Sequence, residues 1–180
     1  DGIRDVERSR GLGDVYKRQV VGDVLANALS FLGAKVTKEY YINDVGTQID
    51  LYIETVKERM KEQKGEDFHI PEKGYLGDDV KVIANDTLQA LIITGPQANS
   101  EEFNEEEFIR KDSLGRVISQ IKGDLASLGI AFDSWVSQKK DVIDAGEVEG
   151  VIKFLKDKGL IYEREGAVWF SSTKFGDDKD

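Results

Sequence analysis

Apolar residues recur at helical spacing along most of the chain, and short β-rich stretches separate the helices. From Val20 to Leu32 apolar positions repeat every three or four residues, and Gly33 then suits the left-handed end of a helix. Residues 35–42 are rich in β-branched and aromatic side chains and predict a strand. A second helix is predicted from Gln48, and its apolar stripe consists of Ile49, Tyr52, Ile53, Val56 and Met60.

The second half of the chain continues the alternation of helix and strand. Three more helices are predicted, at residues 78–91, 105–128 and 144–158. In the last of these, Asp144 is the expected N-cap and Glu147 its capping-box partner. A short strand is predicted at residues 130–133, and a hairpin at residues 160–170. Short connections between helices and strands favour a parallel sheet, so the predicted fold class is α/β.

Composition narrows the kinds of site that this chain can carry. Its net charge of −10 makes the chain by itself a poor general binder of nucleic-acid phosphates. It has no cysteine and a single histidine, His69, so a cysteine nucleophile is excluded and a His-based zinc site is not expected. A cysteine-free chain suits a reducing cytoplasm. No stretch of about 18 apolar residues predicts a membrane span.

The first nineteen residues differ in character from the rest. Residues 1–19 mix basic and acidic side chains with few apolar ones. The run RSRGLGDVYKRQ resembles leaders produced when adapter or vector sequence is translated. We therefore predict that residues 1–19 are a non-native leader and that residues 20–180 form the domain. A native, flexible N-terminus is the alternative.

Polar residues follow the first predicted strand within the segment YYINDVGTQ, residues 40–48. In open α/β folds, ligands bind at the carboxyl edge of the sheet. There Asp44 could meet an ammonium group, and Asn43 could hydrogen-bond a carboxylate or a backbone group. An ordinary Asn-Asp turn that needs Gly46 for positive φ explains the same residues.

A second candidate lies in GIAFDSWVSQ, residues 129–138. Asp133 is predicted to end the short strand at a ligand edge, and Trp135 could form part of a site wall. A core tryptophan beside a strand-end aspartate is the alternative. FGDDKD, residues 175–180, could bind a metal or cap a helix, but its acidic residues lack recognisable ligand spacing and also suit a solvated turn. No metal site is therefore predicted.

Five segments together resemble the arginyl-tRNA synthetases of the bacterial type, and they stand in that family's order. They are VVGDVLANALSFL (20–32), YYINDVGTQ (40–48), PEKGYLGDDVKVIA (71–84), FDSWVS (132–137) and FGDDKD (175–180). The resemblance covers residues 20–180. It implies the Rossmann-like parallel sheet of a class I synthetase catalytic domain, present in part, with a helical insertion at roughly residues 65–115.

The resemblance implies an enzyme that activates arginine with ATP and magnesium and ligates it to tRNA(Arg) in the cytoplasm. The family's HIGH-type ATP motif would precede the VVGD helix, where this sequence has GLGDVYKRQ, and its KMSKS-type motif would follow residue 180. We therefore expect no catalytic residue in this chain and no activity from the chain alone. A non-catalytic relative, or a partner-binding fragment that retains the fold, is the alternative.

The same resemblance implies arginine-binding positions. Asn43, Asp44 and Gln48, in the loop and helix start after the first strand, are expected near the substrate. The family's segment FDxWxSE is expected to aim its Glu at the guanidinium, but this sequence has Gln138 there. A carboxylate accepts two charge-assisted hydrogen bonds from a guanidinium, whereas a Gln offers one neutral carbonyl. Asp133, or a residue outside this chain, is the alternative source of the carboxylate.

Overall fold

The computed structural model describes residues 2–95 and 103–179, with side chains from residue 17 onward. The chain divides into two compact units. We call residues 1–40 and 44–135 the helical unit, and residues 41–43 and 136–180 the C-terminal unit. Most of the predicted leader, residues 1–19, lies outside the part whose side chains are described, so its packing stays a prediction.

Long helices make up most of the helical unit. They are α1 (Gly2–Phe31), α2 (Thr47–Lys64), α3 (Asp78–Thr94) and α4 (Glu105–Ser127). The predicted helices are confirmed, although α1 begins well before its predicted start at Val20. Gly33 has φ +89° directly after α1, which confirms its predicted role at the helix end. Glycine reaches this conformation without the steric cost that a Cβ would bring.

The helices α2, α3 and α4 share one apolar core. The members of this core are Tyr52, Ile53, Val56, Met60, Val80, Ala84, Leu88 and Ile109. Val56 and Ala84 are completely buried, and Ile49 packs against the cluster. The predicted apolar stripe of α2 is therefore confirmed. Each fully buried aliphatic side chain of this kind contributes about 1.5–3 kcal/mol relative to exposure.

Most apolar residues of α1 whose side chains are described are exposed, unlike those of α2, α3 and α4. Val21, Val24 and Leu25 all lie largely open to solvent, and Phe31 is 92% exposed. Ala26 is the residue of α1 that is buried among those whose side chains are described. The helical spacing of apolar residues in this segment correctly predicted a helix. The face that these residues form is nevertheless exposed in this chain.

The strands β1 (Glu39–Ile42) and β2 (Ser134–Ser137) pair as a two-stranded sheet, and each strand passes from the helical unit into the C-terminal unit. Just before the N-terminal ends of the two strands, the Asp133 amide donates to the Lys38 carbonyl at 2.8 Å. The two strands run in the same direction from this point, which confirms the prediction of a parallel sheet. The sheet is small, since each strand has four residues.

The C-terminal unit contains short elements. A π-helical turn (Gln138–Ile143) is followed by α5 (Glu147–Asp157), the strands β3 (Ile161–Arg164) and β4 (Ala167–Phe170), and a 3-10 turn (Ser172–Phe175). β3 and β4 are antiparallel and join through Glu165 and Gly166, which both have positive φ. Two central residues of positive φ form the type I′ turn that matches strand twist. The predicted hairpin is confirmed.

Two sequence predictions in this region are wrong. The strand expected at residues 130–133 begins instead at Ser134. Just before it, the Asp133 amide and carboxylate both bond to the backbone of Lys38, so the carboxylate stands where a strand would present a backbone carbonyl. The capping box at Asp144 does not form. The π-helical turn ends at Asp144, whose carboxylate accepts from Lys139 Nζ at 2.8 Å, and α5 starts after the left-handed Gly146.

The shared core gives a direct test of which face stabilises the helical unit. Val56→Ala removes two buried carbons and should lower the free energy of unfolding by about 2 kcal/mol. Val82→Ala on α3 is the matched control, because Val82 is 60% exposed. It should change stability by no more than about 0.5 kcal/mol. Urea denaturation followed by circular dichroism measures both, and equal losses for the two variants would contradict the assigned core.

Candidate functional site

The carboxyl ends of β1 and β2 bring two of the predicted site residues to the same edge. Asn43 follows the last residue of β1, and Gln138 follows the last residue of β2. Both belong to the C-terminal unit. Because the strands are parallel, residues that follow them lie at one edge of the pair, which is where ligands bind in open α/β folds. Asn43 is exposed, whereas Gln138 is half-buried.

Gln138 is held at the start of the π-helical turn. Ser137 caps this turn, because its hydroxyl accepts a hydrogen bond from the Lys140 amide at 2.9 Å. In the opposite sense, the Ser137 amide donates to Asp141 Oδ2 at 2.8 Å. These reciprocal bonds fix the backbone on both sides of Gln138. Short π-helical segments occur frequently at functional sites.

Sequence reasoning missed this turn. The available signal was Ser137, a favoured N-cap residue, with an acidic residue four positions later. That pattern is shared by ordinary helix starts, so it did not predict a π-helical turn.

Asp44 and Gln48 belong to the helical unit. Asp44 is half-buried in the connection before α2, and Gln48 is exposed as the second residue of that helix. Gly46 has φ +98° at the N-cap of α2, which agrees with the turn that the sequence predicted around it. The binding role of both polar residues stays a prediction.

Asp133 lies at the opposite end of β2 from Gln138. Its Oδ2 accepts a hydrogen bond from the Lys38 amide at 2.7 Å. Five residues of extended chain separate Asp133 from Gln138, or roughly 16 Å at about 3.3 Å per residue. The expectation that Asp133 ends a strand at the carboxyl edge is therefore wrong in its position, since Asp133 precedes the strand that it was expected to close.

Lys38 is fixed through its side chain as well as its backbone. Its ammonium lies 2.9 Å from Asp23 Oδ1, and both side chains are largely shielded from solvent. The amide of Asn27 donates to the other Asp23 oxygen at 2.9 Å. Lys38 therefore ties α1 to the start of β1 while Asp133 ties it to β2. No local pattern could reveal the part played by Asp133, because it lies 95 residues from Lys38 along the chain.

Trp135 belongs to an aromatic cluster beside this junction. Its ring stacks on Tyr40 with centroids 4.5 Å apart, and Phe132 meets both rings edge-on. The ammonium of Lys122 lies 4.5 Å from the Trp135 ring centroid, a distance suited to a cation–π contact. Burial raises the pKa of the Tyr40 hydroxyl, which therefore stays protonated at neutral pH. Trp135 is thus half-buried in a small aromatic cluster and does not belong to the core of α2, α3 and α4.

The acidic residues and His69 form no metal-binding cluster within the described part of the chain. Among residues 2–95 and 103–179, no group of three or more His, Cys, Asp or Glu side chains could hold a metal ion. His69 lies exposed in the loop before α3, where its backbone amide donates to Glu58 at 2.7 Å. None of the described helices is both long enough and apolar enough to cross a membrane.

Helices and a parallel strand pair with polar residues beyond both strands define part of an α/β ligand-binding domain of the Rossmann-like class. Comparison with known proteins identifies the family. The sequence model described as "tRNA synthetases class I (R), catalytic domain" matches residues 13–179. The chain belongs to this family of class I arginyl-tRNA synthetase catalytic domains. The match begins inside the predicted leader, at residue 13.

Individual relatives agree with the family. An arginine–tRNA ligase of Geobacillus thermodenitrificans is 39% identical over 160 residues, which cover 89% of this chain and 28% of the relative. One of Thermotoga maritima is 38% identical over 161 residues, covering 89% of this chain and 29% of the relative. The chain thus spans less than a third of the length of these curated relatives.

A solved structure supports the fold. A protein of Campylobacter jejuni assigned as an arginyl-tRNA synthetase superposes with a TM-score of 0.68 at 29% identity. The superposition covers 89% of this chain and 34% of that one. The predicted class I synthetase fold is therefore confirmed.

The cap on the π-helical turn can be tested alone. Ser137→Ala removes the acceptor for the Lys140 amide, and loss of an N-cap costs about 1 kcal/mol. Hydrogen exchange at the Lys140 amide should therefore quicken by about fivefold. Ser137→Asp restores an acceptor of comparable capping strength and should exchange like the wild-type chain. Equal exchange in the wild-type and Ala chains would show that the cap does not hold the turn.

Proposed function

We propose that this chain forms the arginine-binding side of the catalytic domain of an enzyme that ligates arginine to tRNA(Arg). The observation that carries the proposal is the match of residues 13–179 to the class I arginyl-tRNA synthetase catalytic domain. Asn43 and Gln138, which follow β1 and β2 in the C-terminal unit, are the proposed contacts to the amino acid. The proposed setting is the cytoplasm.

The charge of the chain suits a cationic substrate better than a polyanionic one. A net charge of −10 attracts the guanidinium of arginine and repels the phosphates of tRNA. Gln138 is half-buried, so its carbonyl can accept from a guanidinium where water competes less well. We therefore assign this chain to recognition of the amino acid. Binding of tRNA is assigned to the whole enzyme.

ATP and magnesium belong to the proposed reaction, because class I synthetase domains activate the amino acid with ATP. Among residues 2–95 and 103–179, no group of three or more His, Cys, Asp or Glu side chains could hold a metal ion by itself. We therefore assign no ATP-dependent or metal-dependent step to a residue of this chain. The proposal is confined to binding and orienting arginine.

A segment exchange tests this function directly. Residues 20–180 replace the matching segment of the Geobacillus thermodenitrificans arginine–tRNA ligase, to which the chain is 39% identical. The chimaera should charge tRNA with arginine, and its ATP–pyrophosphate exchange should depend on arginine. The same assays with lysine as the amino acid provide the control.

The alternative function makes the opposite prediction in the same assays. A non-catalytic relative retains the fold, so its chimaera would show native circular dichroism and cooperative unfolding without arginine-dependent exchange. That combination would refute arginine recognition by this chain. A chimaera that turns over lysine as well as arginine would refute the proposed specificity.

Gln138 offers a sharper test of where the guanidinium lies. In the active chimaera, Gln138→Glu should tighten arginine binding, because a charged acceptor contributes about 1.5–3 kcal/mol against about 1 for a neutral one. The difference of about 1 kcal/mol corresponds to about a fivefold lower arginine constant. Equilibrium binding of arginine and the KM for arginine measure this change.

Gln120→Glu is the matched control for the added charge. Gln120 is exposed on α4, so this variant alters net charge equally without changing a residue that follows β1 or β2. It should leave the arginine constant within about twofold, since exposed charges interact weakly. An arginine constant that is unchanged in Gln138→Glu would refute the placement of Gln138 opposite the guanidinium.

A further inference from the structure

Both backbone groups of Lys38 are engaged by Asp133. The Lys38 amide donates to Asp133 Oδ2 at 2.7 Å, and the Lys38 carbonyl accepts from the Asp133 amide at 2.8 Å. The Ser134 amide lies 3.2 Å from the same carbonyl. The carboxylate thus replaces a strand peptide and extends the pairing by one position ahead of β2. We call this pair of bonds the Lys38–Asp133 clasp.

The clasp sets the register of the sheet together with two side-chain contacts between the strands, the Tyr40–Trp135 stack and the exposed Ser134–Glu39 bond. Each strand has four residues, and two-stranded sheets of this size are marginal in water. In a strand pair, a slip of one residue moves every side chain to the opposite face. Such a slip would displace Asn43 and Gln138, the residues that follow the two strands. A charge-assisted bond to the amide is among the stronger hydrogen bonds available to oppose it.

We propose that Asp133 is a positioning residue for arginine recognition, and that it acts through the strand register without touching the guanidinium. This inference rests on the proposed function for its effect on arginine, while the clasp itself can be measured without any activity. It accounts for the location of Asp133 at the starting end of β2, whereas the proposed arginine contacts follow the strands. Lys38 is the partner through which Asp133 acts, and Asp23 steadies Lys38 from α1.

Two substitutions separate positioning from direct contact. Asp133→Asn keeps a carbonyl oxygen that can accept from the Lys38 amide, but it removes the charge that a guanidinium would require. Asp133→Leu has similar bulk and offers no acceptor. Ser134→Ala is the control, since it removes an exposed side-chain bond to Glu39 between the same strands and leaves the clasp intact.

The first measurement is hydrogen exchange of the Lys38 amide in the 180-residue chain. Exchange should rise by about tenfold or more in Asp133→Leu, because a hydrogen bond to a charged acceptor is lost. It should rise only a few-fold in Asp133→Asn and stay unchanged in Ser134→Ala. Unaltered Lys38 exchange in Asp133→Leu would overturn the clasp.

The second measurement is the KM and kcat for arginine in the chimaera. Positioning predicts a KM about tenfold higher in Asp133→Leu and within about twofold to threefold of wild type in Asp133→Asn. If Asp133→Asn raises KM as much as Asp133→Leu while its Lys38 amide stays protected, then the carboxylate contacts the substrate and the inference fails. If the wild-type chimaera is inactive, the proposed function is refuted. Hydrogen exchange of the Lys38 amide still tests the clasp in that case.

Discussion

The apolar core shared by α2, α3 and α4 is the constraint on which the rest of the structure depends. It supplies most of the buried apolar residues of the described chain, including the fully buried Val56 and Ala84. Within the described part of the C-terminal unit, by contrast, Ser171 is the residue that is buried, and no apolar side chain is. That unit is held by backbone hydrogen bonds, caps and turns. Since a hydrogen bond contributes only about 1 kcal/mol net, burial in the three helices provides most of the stability.

Sequence patterns correctly predicted those helices and turns whose conformation depends on residues close together in the chain. The stripe of α2 follows from the helical period, and the hairpin follows from Glu165-Gly166, whose conformation is dictated within four residues. The predictions at Asp133 and Asp144 were wrong because contacts outside the local window decide them. Asp133 is committed to Lys38, which lies 95 residues away, and the residues before Asp144 form a π-helical turn. Of the candidate site, the polar residues after each strand could be predicted, but the distant partner that sets their register could not.

In the proposed function, a single side chain would change the chemistry of recognition while the fold persists. Identity of 39% to an arginine–tRNA ligase is ample for the same architecture. Gln138 places a neutral amide where the family resemblance calls for a carboxylate. In the proposed function, affinity for arginine would then rely more on the acidity of the chain as a whole and less on one paired charge.

The Lys38–Asp133 clasp closes a loop of 95 residues, and this imposes an order on folding. Closing a flexible loop of that length costs about 4 kcal/mol in chain entropy beyond a constant term. The intervening helices form from local contacts within microseconds, and once packed they bring the two strand starts toward each other. The strand pair is therefore the late, high-contact-order step, and in the native ensemble it should open before the helices do. The pairing of β1 with β2 therefore depends on the earlier packing of α2, α3 and α4.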